Sequence, residues 1–250
     1  MNPEDQITPD LNQEGVELAE KKAEELLSRF DPEHDILFLA SSDEARALET
    51  ANVYRKIAHT KGFEIMKPHK TGTRLAGEVG EGEIRTVHNL SLNSKNLLAQ
   101  ALFNPDYQNE SVNWDALDSE TRAKYDKVRQ LVAADDRGSF GANFFHHSET
   151  AAEILPEIKT ARELYKVQFK NLLRLAGFGV QKAQESGVEK NVKILAFGHE
   201  NYMGYAMDRY FEEHDIKNCE TIDVETGDSD IVLTKRGATA SVNENVKKGE

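Results

Sequence analysis

Two polar side chains stand just beyond short apolar runs, and their types suit the binding of an anion. Arg46 comes after Ile36-Leu37-Phe38-Leu39-Ala40, behind Ser41-Ser42-Asp43. His199 comes after Ile194-Leu195-Ala196-Phe197, directly behind Gly198. Short apolar runs with polar flanks, each followed by a helix-forming segment, read as buried parallel strands. In open α/β sheets, ligands bind outside the carboxyl ends of the strands, so both side chains belong at that edge. Arg46 falls in the first turn of its helix, where guanidinium and helix N-terminus together favour negative charge. Gly198 lets a ligand approach the backbone closely, and His199 then points from the strand end into the crevice. The ordinary readings are a surface ion pair of Arg46 with Glu49 or Glu44, and a hydrogen-bonded His199 near the core.

The elements that must position these residues alternate between helix and strand. Val16, Ala19, Ala23, Leu26, Leu27 and Phe30 recur at helical spacing, and Asp31-Pro32 ends that helix. Residues 36–40 form a strand, Ser41-Ser42-Asp43 offers helix caps, and residues 44–58 continue as a helix. Another strand begins within 62–65. Residues 90–103 and 119–134 read as helices, 104–114 and 135–144 as loops. Residues 150–177 read as a helix kinked near Pro156. The strand at 193–197 leads into a helix over 201–214. Residues 221–224 and 230–233 close the fold as a pair of strands, and 237–250 is a polar tail that frays. This order predicts a three-layer α/β sandwich, a mostly parallel sheet with helices on both faces. It is expected as one domain over residues 1–236, with an insertion at about 84–150.

Composition narrows the partners. The 250 residues are 38% apolar and 30% charged, with a net charge of −13. That acidity argues against nucleic acid or an anionic membrane surface as partner, since both need a basic patch. A small anion in a locally positive pocket remains compatible with it. The single cysteine, Cys219, rules out an internal disulfide framework and suits a reducing compartment. No apolar run approaches the ~20 residues of a membrane span. The opening Met1-Asn2-Pro3-Glu4-Asp5 does not read as a secretory signal, so the expected location is cytoplasmic. No cofactor is expected. A metal site at His146-His147 is set aside, because adjacent histidines on a strand point to opposite faces and no further ligand at the usual spacing accompanies them. Trp114, Tyr107 and Tyr125 read as packing rather than base stacking, since no basic stripe runs beside them.

The segment Ser41-Ser42-Asp43-Glu44-Ala45-Arg46-Ala47-Leu48-Glu49-Thr50-Ala51 is similar to the Ser-Ser…Arg-Ala…Thr-Ala segment of the histidine phosphatase superfamily, the phosphoglycerate-mutase-like fold. Leu11-Asn12-Gln13-Glu14-Gly15 resembles the family's L-T-x-x-G. Ile194 to Glu200 resembles the strand that ends in Ser-His-Gly, here Gly-His-Glu. The order of these segments agrees over residues 11–233. The resemblance implies phosphomonoester chemistry without a metal. One histidine attacks phosphorus, arginines and a second histidine hold the phosphoryl oxygens, and a carboxylic acid protonates the leaving oxygen. By position, Arg46 matches a phosphate-binding arginine and His199 the second, catalytic-site histidine, with Ser42 beside them as a phosphate contact. Glu78, Glu81 and Glu83 are the candidates for the acid, with Glu78 preferred for its distance from Leu75. Arg85, His88 and Glu200 either line the pocket or lie on the surface.

The family's nucleophile stands in an Arg-His-Gly motif on a strand ahead of L-T-x-x-G. Residues 1–10 contain no histidine, no arginine and no apolar strand. The expectation is a domain that binds phosphomonoesters but does not turn them over as it stands. Two explanations stay open: a chain shortened from a functional phosphatase, or a pseudoenzyme that binds a small phosphorylated molecule or a protein. Loss of the first strand exposes sheet edges. Pairing with a second copy as a homodimer, or with another strand of this chain, is a way to cover them.

Overall fold

Residues 36–40 form the middle of β1 (Asp35–Ser41), a strand buried along its whole length. The computed structural model describes residues 11–66, 83–87, 101–104, 113–138, 140–185, 187–212, 217–226 and 231–242. Two units divide the chain. Met1–Ser91, Lys170–His199 and Lys217–Glu250 make the first, and Leu92–Phe169 with Glu200–Ile216 the second.

In the first unit β1 has neighbours on both edges. β4 (Asn191–Phe197) runs parallel to all of it, from Asp35 opposite Asn191 to Ser41 opposite Phe197. On the other edge β2 (Glu64–Ile65) pairs with Ile36 and Leu37, and β3 (Ile84–Thr86) with Leu39 to Ser41, both parallel. Strand residues alternate between faces. Leu37, Leu39, Ile65, Ile84 and Leu195 therefore share one face, where they cluster with Ala23 and Leu27 of α1 (Gln13–Leu27) and Leu48, Ala51, Tyr54 and Ala58 of α2 (Ala45–Thr60). Ile36, Phe38 and Ala40 of the other face are buried as well. Burial on both faces is what an unbroken apolar run in a parallel sheet requires. β4 is more open, with Asn191 and Ala196 exposed, and among the described residues it pairs with β1 alone.

A separate antiparallel sheet of this unit comprises β5 (Asp223–Thr226), β6 (Ile231–Lys235) and β7 (Ala238–Ser241), in that order. Arg236 and Gly237 join β6 to β7 with φ of 48° and 84°. Two left-handed residues in a two-residue loop match the twist of the flanking strands. The expected frayed tail at 237–250 is corrected over its first part, where β7 pairs with β6 and Val242 is buried; residues 243–250 lie outside the described residues.

The second unit is helical among its described residues. α3 (Ser119–Ala134) starts at Asp118, whose carboxylate accepts the N–H groups of Glu120 and Thr121. α4 (Phe140–Ile154), residues 161–169 of α5 (Ala161–Glu185), and α6 (Glu200–Phe211) belong to it, with helical residues 101–103 and a 3-10 turn at Trp114–Ala116. Phe144 meets Phe103 and Tyr165 edge-on, at 4.9 and 5.9 Å between ring centres. Trp114 meets Tyr125 edge-on and lies under Arg129, as packing. Tyr107 lies outside the described residues.

Three further expectations are corrected. The insertion does not begin at 84, since Ile84 is fully buried in the first unit's sheet opposite Leu39, and the second unit reaches 169 and takes in 200–216. The region 135–144 is not all loop, because α4 starts at Phe140. Pro156 breaks rather than kinks: α4 stops at Ile154 and α5 starts at Ala161. Proline lacks the N–H a helix needs and disfavours helical geometry in the residue before it. No helix among the described residues is long and apolar enough to cross a membrane.

Candidate functional site

The parallel pairing of β1 with β4 brings their carboxyl ends side by side. The ladder runs one residue beyond β1, where the Ser42 N–H donates to the Phe197 carbonyl at 2.9 Å. Ser42 and His199 thus face each other, with Ser42 Oγ 2.9 Å from His199 Nε2. Both are buried, at 0% and 7% exposure. The Ser42 hydroxyl also accepts the Glu44 N–H at 3.2 Å. With a second lone pair and its own proton still available, the hydroxyl suits either tautomer of a neutral ring at Nε2. The expected side-chain cap of α2 is absent: Glu44 occupies the cap position without a side-chain bond that caps the helix, and Ser42 holds the turn ahead of it.

Arg46 lies in the first turn of α2 and is exposed. Its guanidinium makes no hydrogen bond or ion pair among the described residues, so the expected alternatives with Glu44 or Glu49 are not formed. Glu49 instead accepts the Leu11 N–H. Burial lowers the His199 pKa, the Arg46 charge lowers it further, and Asp43 opposes them; the result is about 4. The imidazole is neutral at pH 7 and lies within the field of an uncommitted cation. Ser41, the residue before Ser42, has its Oγ fully buried without a hydrogen-bond partner among the described residues.

A hydroxyl within bonding distance of an imidazole is also the geometry of a serine nucleophile and its base. Ser42 has no exposed surface and the ring is a weak base, so the contact serves instead to orient His199. A phosphate dianion at the strand ends would offset the Arg46 field and favour the protonated ring.

The other sequence candidates are distributed as follows. Glu83 is not a free acid: it is buried against α2, with Oε2 3.2 Å from Arg55 and 2.8 Å from His59. Burial alone would raise its pKa, but the bonds from His59 and Arg55 outweigh that and lower it. A carboxylate held ionised in this way donates no proton near neutral pH. Arg85 sits on β3 opposite Ala40, on the face away from Leu39 and Ile84. Glu200 opens α6, and its side chain lies outside the described residues, as do Glu78, Glu81 and His88. Ser41 was not singled out from sequence; its place at the last position of a fully buried strand was the available signal.

Comparison with protein-family models, with curated proteins and with solved structures finds no match to this chain.

The depressed His199 pKa has a consequence for stability. Between pH 6.5 and about 4 the unfolded chain takes up a proton at this residue and the folded chain does not. This contribution is therefore full above pH 6.5 and is lost as pH falls toward 4. After allowance for partial solvent screening it amounts to about 2 kcal/mol. Urea unfolding at pH 7 and pH 4.5 should show the native protein losing about that much more stability than His199→Asn. Equal losses in both proteins would contradict it.

Proposed function

We propose that this chain is a histidine-phosphatase-like protein, on a phosphoglycerate-mutase-like three-layer fold, that binds phosphomonoesters at the carboxyl ends of β1 and β4. Arg46 and His199 are the groups that serve the phosphate, and the buried Ser42, expected from sequence as a direct phosphate contact, acts by orienting the His199 ring. The observation that carries the reading is the 2.9 Å contact of Ser42 with His199 across two adjacent parallel strands, beside an uncommitted Arg46. Among the described residues of the first unit, His199 is the histidine at this edge. His34 precedes β1 at the opposite end, and His59 lies in the last turn of α2. One histidine cannot both hold the phosphoryl oxygens and attack phosphorus, and with His199 the one histidine at this edge among the described residues the reading is binding without turnover.

Phenyl phosphate titrated into the protein is the direct test. Saturable binding is expected, with movement of the His199 ring resonances toward those of the protonated form. A chromogenic aryl phosphate should not be hydrolysed. Absence of saturation, or affinity unchanged in His199→Ala, would remove the site. Hydrolysis abolished by His199→Ala would replace binding with catalysis.

A further inference from the structure

The turn between α3 and α4 gathers groups unrelated to the strand-end site. His146 and His147 lie on a helix, not a strand, so their side chains are about 100° apart around the axis rather than on opposite faces. Asp135 follows the last residue of α3 and returns to meet them. One ligand atom from each of Asp135, His146 and His147 lies within 4.8 Å of the others. His147 is buried, and Asp135 and His146 are about half exposed.

The local bonding is contradictory with Arg137 as the cation. Asp135 Oδ2 lies 3.1 Å from His146 Nε2. Arg137 Nη2 lies 2.7 Å from the same Oδ2 and 2.9 Å from the same Nε2. A guanidinium only donates, so its bond to Nε2 requires a lone pair there, and that lone pair then faces the carboxylate oxygen. If Nε2 carries a proton instead, it suits Asp135 and opposes Arg137. In either state one contact is unfavourable. Two lone pairs converging on one positive charge is the arrangement of a metal site, with Arg137 in the metal's place.

We propose that Asp135, His146 and His147 bind a divalent transition metal of the zinc type, which displaces the Arg137 guanidinium. Imidazole with carboxylate suits zinc, nickel or copper and not magnesium or calcium. Metal–ligand bonds of ~2.0–2.2 Å place tetrahedral ligands about 3.3–3.5 Å apart. The Asp135–His146 separation is already near this value. The widest pair must close by roughly 1.4 Å to reach it, by rotation of the half-exposed side chains. Arg137 is 45% exposed and can swing into solvent. The turn is held independently of the ligands: the Arg137 N–H donates to Asn143 Oδ1 at 2.7 Å, and Asn143 Nδ2 donates to Asp136 at 2.8 Å. His147 Nε2 lies 2.8 Å from the Asp135 carbonyl, which only accepts, so this nitrogen bears the ring proton. Binding through it moves the proton to Nδ1, the other tautomer of the neutral ring.

Titration of the full chain with Zn²⁺, followed by calorimetry, tests this directly. One Zn²⁺ per chain is expected, with Mg²⁺ giving no signal. His146→Ala should weaken binding at least tenfold, and Arg137→Gln should tighten it several-fold by removing the competing charge. Co²⁺ should give the visible absorption of a tetrahedral site, and His146→Ala should lose it. Asp135→Asn is the second variant, for use if His146→Ala disturbs folding. Zn²⁺ affinity unchanged in His146→Ala and Asp135→Asn, or no better in Arg137→Gln, would overturn the site.

Discussion

Replacing Arg46 with alanine is expected to weaken phenyl phosphate binding by about 10- to 100-fold, the equivalent of one charge-assisted hydrogen bond at ~1.5–3 kcal/mol. The same change should leave thermal stability nearly unaltered, since the side chain is exposed and makes no bond within the described fold. A second readout separates proximity from general loss of charge. The Arg46 field is one of the two influences that hold the His199 pKa at about 4. Removing it should raise that pKa toward, but not to, 6.5, because burial is the larger cause and persists. Ring resonances of His199 followed across pH would measure this. An unmoved His199 titration would mean that Arg46 does not face the site, whatever happened to affinity.

A still larger loss is expected from Glu220→Ala, and it falls on stability. Lys235 is the last residue of β6, and its side chain is 2% exposed. Its Nζ lies 2.8 Å from Glu220 Oε1. Burial alone would raise the Glu220 pKa, but the Arg236 hydrogen bonds and the Lys235 ion pair outweigh that and bring it to about 2. Removing the carboxylate leaves a buried ammonium uncompensated, at a cost of about 3–5 kcal/mol. Adding Lys235→Met to Glu220→Ala should recover most of the loss, because the buried charge is then gone. Denaturant unfolding of the single and double variants would measure this. A single variant within ~0.5 kcal/mol of the native protein, the usual spread for surface changes, would show that Lys235 reaches solvent. The pH sign is opposite to a rescue by acid: the pair contributes fully above pH 4.5 and is lost as pH falls toward 2.

The residues best legible in the sequence are those whose environment is set locally. Ile36 to Ala40 form a central strand because five consecutive apolar residues need cover on both faces. Ser119 to Ala134 form a helix over the predicted span because Asp118 caps it and the apolar spacing holds. What escaped was set by distant neighbours. Ile84-Arg85-Thr86 is too short to announce a strand, and only Leu39 across the ladder makes it one. Glu83 read as a free acid because Arg55 and His59 come to it from another element. The Asp135 cluster was missed for the same kind of reason. A residue ending one helix meets two in the next only if α4 begins at Phe140, and 135–144 carries no helical periodicity of its own. At the strand ends the sequence pointed to Arg46, Ser42 and His199, while the bond between Ser42 and His199 depends on a register that spacing alone does not define.

The partnership of β1 and β4 also governs when the protein can acquire its structure. Asp35 and Asn191 lie opposite each other across 156 residues of chain. At ~5–20 residues per second of synthesis, β4 follows β1 out of the ribosome after roughly 8–30 s. During that interval the most apolar strand of the nascent chain has no full-length neighbour, and closing so long a loop is entropically slow. The sheet therefore forms late in translation, and Ile36 to Ala40 are the residues most in need of shelter by a chaperone until β4 arrives.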